Sequence, residues 1–337
     1  METVDRVHIP SLTLPLRIHR LLARQGAVMD FPKGGSASLV NALALGVTKH
    51  DKCSVEVSQE VKEILVEDGR AVGVALKRGG KAIRAREAVI SNADLFHTYK
   101  LVPEGVHDGF DRERELFLSA AAKPGDGGVP FCKSFMHVHL GVAAHLIPED
   151  APPQWTVVRD WTLGIDAPGN VVVVSVPSKL DPSLAPNGHH VIHAYTAGNE
   201  PYEDWEQFQY LDAAARKTDA AYNAFKKERA QPIWDAIAKR APSVVPGAAV
   251  VEQVATPLTH ARFLNRYRGN YGLAIAPGNQ EGWKFPEVTT PIDGLYRCGD
   301  STTAGIGVPA VASSGAQCAN AILSVWEQLK LNSKIRM

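Results

Sequence analysis

Residues 294–315 read GLYRCGDSTTAGIGVPAVASSG, and this stretch decides the fold. Leu295-Tyr296-Arg297-Cys298 is a short apolar-rich run that suits a buried strand. The run stops at Gly299-Asp300, crosses a turn of small residues and enters a long helical pattern. From Val308 onward, apolar or small residues recur at Val311, Ala312, Gly315, Ala319, Ile322, Trp326 and Leu329, one stripe at helical spacing. Pro309 falls in the first turn, where a missing N–H costs nothing. The pattern predicts a strand, a carboxylate at its carboxyl end, and a helix amino terminus beside it.

Such an arrangement has a chemical use. A helix amino terminus presents unpaired N–H groups and a partial positive charge, which favours an anion or an electron-rich oxygen. Gly305 and Gly307 remove side chains where a ligand would touch backbone. Asp300 can accept hydrogen bonds from sugar-like hydroxyls. A reduced flavin offers both partners: ribityl hydroxyls and negative charge on its pyrimidine ring. Two other readings stay open. Residues 305–310 match the G-x-G-x-x-[G/A] dinucleotide fingerprint, although six residues separate the strand from Gly305 and no second strand follows to close a βαβ unit. The simplest reading is a glycine-rich helix entry with Asp300 as a turn residue.

Working outward, residues 53–57 and 61–66 are strand-like, and Asp68-Gly69 makes a tight turn into a returning strand at 71–76. Residues 81–85 and 87–90 continue this meander. Nearer the amino end, residues 12–29 read as an amphipathic helix covering the core, with peripheral membrane contact as its less favoured use. Pro32-Lys33-Gly34-Gly35-Ser36 is a turn whose Ser36 can cap a helix over 37–45. Between about 101 and 255 the composition changes. Strands are expected at 131–142, 155–158, 171–176 and 190–197, helices at 205–210, 213–227 and 233–240, and a returning strand at 248–255. A mixed sheet with helices, inserted into a cofactor domain, fits a substrate-binding domain.

Composition excludes several classes. Of 337 residues, 45% are hydrophobic and 21% charged, an ordinary globular balance. A formal net charge of zero gives no electrostatic case for a nucleic-acid partner. The four cysteines contain no C-x-x-C pair, so dithiol and cysteine-metal motifs are unsupported. His137 and His139 share one strand face, and His145, His189, His190 and His193 could add ligands. With no carboxylate or cysteine at ligand spacing, structural histidines are the expectation and no metal is assigned. Ser313-Ser314 lacks a G-x-S-x-G turn, which disfavours a nucleophilic serine.

The 294–315 stretch resembles the carboxyl-terminal flavin motif of the phytoene desaturase and carotenoid isomerase family of FAD-dependent amine-oxidase-like proteins, most of all its plastid-type, prolycopene-isomerase-like branch. Further stretches are similar in the same order: FPKGGSASLVNAL at 31–43, VKEILVEDGRAVGVAL at 61–76 and AVISNAD at 88–94. FMHVHLG at 135–141, APGNVVVVSVPSKLDPSLAPNGHHVIHAYT at 167–196 and TPLTHARFLNRYRGNYG at 256–272 extend the match.

The resemblance implies an α/β, FAD/NAD(P)-binding amine-oxidase-like fold, with an α+β, mixed-sheet substrate domain at 101–255 inside a cofactor domain at 1–100 and 256–337. It implies FAD held by Val61, whose backbone would meet the adenine, and by Gly299, Asp300, Gly305, Gly307, Val308, Pro309 and Ala310. It implies an apolar, carotenoid-like polyene as substrate, for isomerisation, desaturation or saturation, in a plastid, with a cytoplasmic setting as the alternative. Members of the family open with a G-x-G-x-x-G turn for the FAD diphosphate, and this sequence shows none before Gly305. The expectation is an incomplete fold lacking about one domain's worth of residues, from a truncated gene model, a fragment or a split product. A scaffold or assembly partner without FAD is therefore the competing reading.

Overall fold

The computed structural model describes residues 31–121, 131–274, 285–302 and 305–335. The expected amphipathic helix at 12–29 lies outside them. In chain order the main elements are α1 (Ser36–Thr48), β1 (Val61–Glu67), β2 (Arg70–Leu76), β3 (Ala82–Arg84), β4 (Val89–Ser91), α2 (Leu95–Leu101) and α3 (Asp108–Ala121). Then come β5 (His137–Ala143), β6 (Gln154–Val158), β7 (Val171–Ser175), β8 (His189–Thr196), α4 (Ala215–Thr218), α5 (Ala220–Ala238) and β9 (Val251–Ala255). The chain continues with α6 (Pro257–Phe263), β10 (Leu295–Arg297), α7 (Val308–Ile322) and α8 (Val325–Ile335).

The described residues divide into two compact units. The first takes residues 56–131 and 271 onward, and the second residues up to 55 and 132–270. In the first, β1, β2 and β3 form the antiparallel meander that the Asp68-Gly69 turn predicts, with Val66 opposite Ala71 and Gly73 opposite Arg84. Beside it, β4 and β10 pair in parallel, Val89 with Leu295 and Ser91 with Arg297. Ile64, Leu95, Tyr99, Phe110, Phe117 and Leu295 close one core around these strands.

The second unit is built on a five-stranded sheet in the order β6-β7-β8-β5-β9. Its pairings are antiparallel throughout, where a mixed sheet was expected; the parallel pairing lies in the first unit. Strand alternation sends Val138, Leu140, Val172, Val174, Ile192 and Ala194 to one face, where they pack on Ile233, Trp234 and Ile237 of α5.

The borders fall later in sequence than the 100/101 and 255/256 boundaries expected. Tyr99, Phe110 and Phe117 carry α2 and α3 into the first core, while Leu258 brings α6 into the second. Residues 31–55 join the second unit too, with the Gly34 N–H donating to Asp181 at 2.6 Å.

Local readings were overturned at four places. Residues 53–57 are not a strand; their side chains are exposed and no core face holds them. Gly35 rather than Ser36 precedes α1, and Ser38 donates back to the Gly35 carbonyl at 2.7 Å. The two helices expected at 213–227 and 233–240 are mostly one, because α5 runs through Pro232. An interior proline costs about 3 kcal/mol; buried Ile233, Trp234 and Ile237, and the Trp155 indole donating to the Ala236 carbonyl at 2.9 Å, offset it. The final helix breaks between Ile322 and Val325. Ser324 and Glu327 close a capping box there, with Ser324 N–H donating to the Glu327 carboxylate at 2.8 Å and Glu327 N–H to Ser324 Oγ at 3.4 Å.

Candidate functional site

Two parallel strands that end side by side each hand the chain to a helix. β4 runs into a turn that opens α2, and β10 runs into the turn that leads to α7. Ligands of open α/β sheets gather outside the carboxyl ends of such strands. The two turns are stitched together: Asn92 Nδ2 donates to the Cys298 carbonyl at 3.1 Å, and Leu95 N–H donates to Ser301 Oγ at 3.3 Å. Asp94 caps α2, accepting from His97 N–H at 2.7 Å.

The turn after β10 is held from beneath by α7. Ser314, fully buried, accepts from the Gly299 N–H at 3.0 Å and shares a hydrogen with Thr302 Oγ1 at 2.5 Å, while Thr302 Oγ1 also donates to the Gly299 carbonyl at 2.8 Å. The buried face of α7 is Ala310, Ser314 and Cys318, four residues apart, rather than the apolar stripe the sequence offers. Removing the Ser314 hydroxyl leaves the Gly299 N–H without its acceptor and takes one of two partners from the buried Thr302 hydroxyl, so Ser314→Ala is expected to cost about 1–3 kcal/mol. Ser313→Ala, whose hydroxyl meets Gln317 at the exposed surface, is expected to stay within about 0.5 kcal/mol. Urea unfolding of the pair measures the difference; equal losses would remove Ser314 from its pinning role.

Two approaches are close, one against a side chain and one against backbone. A Cβ on Gly299 would lie 2.8 Å from Asn92 Nδ2, and one on Gly272 would lie 2.6 Å from the Asp300 carbonyl oxygen. At the entry to α7 the situation reverses. Gly307 has φ of 100°, yet a Cβ there would meet no atom of the described residues within 4 Å. Gly307 is also the residue before the helix and offers no side chain to cap it, and the first turn of α7 carries no acidic residue. The Val308 and Ala310 N–H groups therefore open the helix without a side-chain cap from Gly307, and Pro309 between them has none to satisfy.

Gly299, Asp300, Gly305, Gly307, Val308, Pro309 and Ala310 thus share one turn and one helix start. Val61 is placed elsewhere, at the start of β1 opposite Leu76. Sequence reading missed Asn92, Asp94, Gly272, Ser301, Thr302 and Ser314. Asp94 before an apolar run was a readable capping signal; the others join through contacts 12 to 206 residues apart along the chain. Cys298 and Cys318 hydrogen-bond to each other, and burial pushes the Cys318 thiol up to about 11, away from reactivity. In the second unit His137, His139 and His193 meet on one sheet face, joined by His260 from α6, whereas His190 turns to Ser178 at 2.9 Å and His189 to the Asn187 carbonyl.

A family model described as flavin containing amine oxidoreductase matches residues 4–323. The chain belongs to that family. It is 33% identical over 324 residues to the prolycopene isomerase, chloroplastic, of Daucus carota, covering 96% of this chain and 48% of that protein. The chloroplastic prolycopene isomerase of Arabidopsis thaliana is 30% identical over 323 residues, 96% of this chain and 50% of its own. A solved oxidoreductase of Methanosarcina mazei superposes with a TM-score of 0.47 at 19% identity, covering 86% of this chain and 55% of that one. The chain spans about half the length of the curated relatives it matches.

The residues of this family member fit the group its family name implies. A helix start without a side-chain cap and a glycine at φ of 100° form a place that could accept an electron-rich group. Asp300, held between Gly272 and the Ser314-pinned turn, stands at the carboxyl end of β10 as an acceptor for hydroxyls.

Proposed function

We propose that the protein is part of an FAD-dependent oxidoreductase or isomerase acting on a carotenoid-like polyene, with cis–trans isomerisation as the reaction. The observation that carries this reading is the similarity to prolycopene isomerases across 96% of the chain. In this reading the first unit is the cofactor domain and the second receives the substrate. Flavin, when bound, supplies the electron chemistry.

The chain's own residues then bind and orient. Asp300 would accept hydrogen bonds from hydroxyls of the cofactor. The N–H groups of Val308 and Ala310 would hold its electron-rich end and favour negative charge there, which would tune the flavin toward its reduced form. Gly305 and Gly307 would keep side chains out of the approach, Gly299 would hold the turn close against Asn92, and Pro309 fixes the first helical turn without a surplus donor. Val61 is assigned to the adenine end by resemblance alone. A plastid setting follows from the chloroplastic relatives; among the described residues no helix is long and apolar enough to cross a membrane.

The test is direct. The chain is purified, supplied with FAD and examined for flavin absorption near about 450 nm after removal of free cofactor. Near-stoichiometric colour, followed by cis-to-trans conversion of a polyene under reducing conditions, supports the reading. A folded but colourless protein would favour the scaffold. Asp300→Ala is expected to weaken flavin binding by roughly 10- to 150-fold, the equivalent of about 1.5–3 kcal/mol for a charge-assisted bond. Fluorescence titration of flavin reads this; a fall in melting temperature with unchanged affinity would make Asp300 a structural residue.

A further inference from the structure

We propose that His137, His139 and His193 form a binding site for a divalent first-row transition-metal ion of the zinc type. The sheet register builds it. On β5, His137 and His139 point to the same face, two residues apart. On β8, His193 lies directly opposite His139, and the next residue on that face, Tyr195, lies opposite His137. One nitrogen from each of the three imidazoles falls within 4.8 Å of the others. The rings lie nearly parallel, 6° apart for His139 and His193 at a centroid distance of 4.5 Å.

The rings stack on one another and on Tyr195, yet this packing leaves part of the cluster's polar capacity unused. His137 Nδ1 and His193 Nε2 face each other at 2.8 Å, so one hydrogen serves two nitrogens. His137 is only 9% exposed, and its Nε2 is buried with no hydrogen-bond partner. An orphaned buried polar atom costs stability, so an apolar trio would pack better on this face. Burial, with the neighbouring histidines, also holds His137 down to about 2 and His193 down to about 4, and burial lowers His139. Neutral imidazole is the form that binds a metal.

The donor set chooses the ion. Three neutral imidazoles suit zinc, copper, nickel or cobalt and offer nothing to magnesium or calcium, which require oxygen ligands. Zinc–nitrogen bonds of about 2.0–2.1 Å place tetrahedral ligand nitrogens about 3.3 Å apart. The facing nitrogens of His137 and His193, 2.8 Å apart, must separate by about half an ångström, and the imidazoles must rotate out of their parallel stack to aim at one ion. His139 is exposed, so the remaining coordination positions open to water, as in zinc sites that keep an open position. Every ligand belongs to the second unit.

The test uses the full chain after treatment with a chelator. Cobalt(II) is titrated in as a spectroscopic stand-in, and zinc affinity is measured by competition with a chromophoric chelator. One equivalent of cobalt with visible d–d bands, displaced by zinc, is the expected result. His139→Ala, at the exposed ligand, and His193→Gln should each weaken zinc by at least about tenfold, because even changes beyond the ligands cost that much. His189→Ala, on the same strand with its ring at the Asn187 carbonyl, should leave the affinity unchanged. Circular dichroism confirms folding, and His139→Ala carries the test should His193→Gln not fold. Absence of saturable cobalt and zinc binding, or equal loss in His189→Ala, overturns the proposal.

Discussion

Replacing Arg297 by methionine is expected to remove about 3–5 kcal/mol of folding stability. Arg297 sits on β10 and is 4% exposed, in the middle of what reads as an apolar strand. Its guanidinium reaches Glu113 on α3 at 2.6 Å, the Glu287 carbonyl at 2.7 Å, and the Thr289 carbonyl and Tyr99 hydroxyl at 3.3 Å. Burial raises the Tyr99 phenol, so that hydroxyl stays protonated. Methionine would fill much of the volume but leave the Glu113 carboxylate without its counter-charge, and Glu113 Oε2 already has no hydrogen-bond partner. The uncompensated carboxylate accounts for the size of the loss. Pairing the change with Glu113→Leu should therefore recover a substantial part of it, a non-additivity that a double-mutant cycle measures. Urea unfolding of the four proteins reads the cycle. A loss below about 1 kcal/mol in Arg297→Met, or strict additivity, would show that the pair behaves like an exposed ion pair.

The same residue marks how far the sequence could be read. The β10 strand, its turn and the α7 start were legible because each is set by local signals: a short apolar run, Gly299-Asp300, and Pro309 in a first turn. The β1–β2 hairpin was legible through Asp68-Gly69 for the same reason. Arg297 and Glu113 are 184 residues apart, and neither carries a mark of its partner. Ser314 was dismissed as a nucleophile and left without a task, because the N–H it accepts from lies 15 residues upstream and only the fold brings it back. Ser324-Val325-Trp326-Glu327 is a different case. This capping box was readable, but the apolar spacing through Trp326 and Leu329 masked it. Trp326 is 81% exposed, so that stripe was not a buried face. On β5, the two-residue spacing of His137 and His139 was visible, while the opposing His193 depends on register, which a strand's own sequence does not state.

The second large effect is expected at Gly272. Gly272→Ala should cost about 2–5 kcal/mol, from a left-handed conformation that disfavours a Cβ by roughly 1–2 kcal/mol and from a clash worth about 1–3 more. The backbone here has φ of +88°, and an added Cβ would sit 2.6 Å from the Asp300 carbonyl oxygen and 3.0 Å from the Asp300 Cγ. Neither atom is the yielding end of a long side chain. One is backbone, and the other belongs to a short carboxylate in a turn whose first N–H is already bonded to Ser314. Relief must come from moving residues 299–302 as a piece, so stability and the position of the Asp300 carboxylate should change together. Gly69→Ala supplies the control, since Gly69 has φ of +77° and nothing within 4 Å of its Cβ position. It should lose the conformational part alone, about 1–2 kcal/mol. Urea unfolding separates the two contributions, and flavin titration asks whether Asp300 has moved. The expected pattern is a larger stability loss together with weaker flavin binding in Gly272→Ala, against a small loss and unchanged affinity in Gly69→Ala. If both variants lose the same stability, the close approach to Asp300 is slack; if Gly272→Ala is unstable yet binds flavin normally, the Asp300 carboxylate does not hold the cofactor.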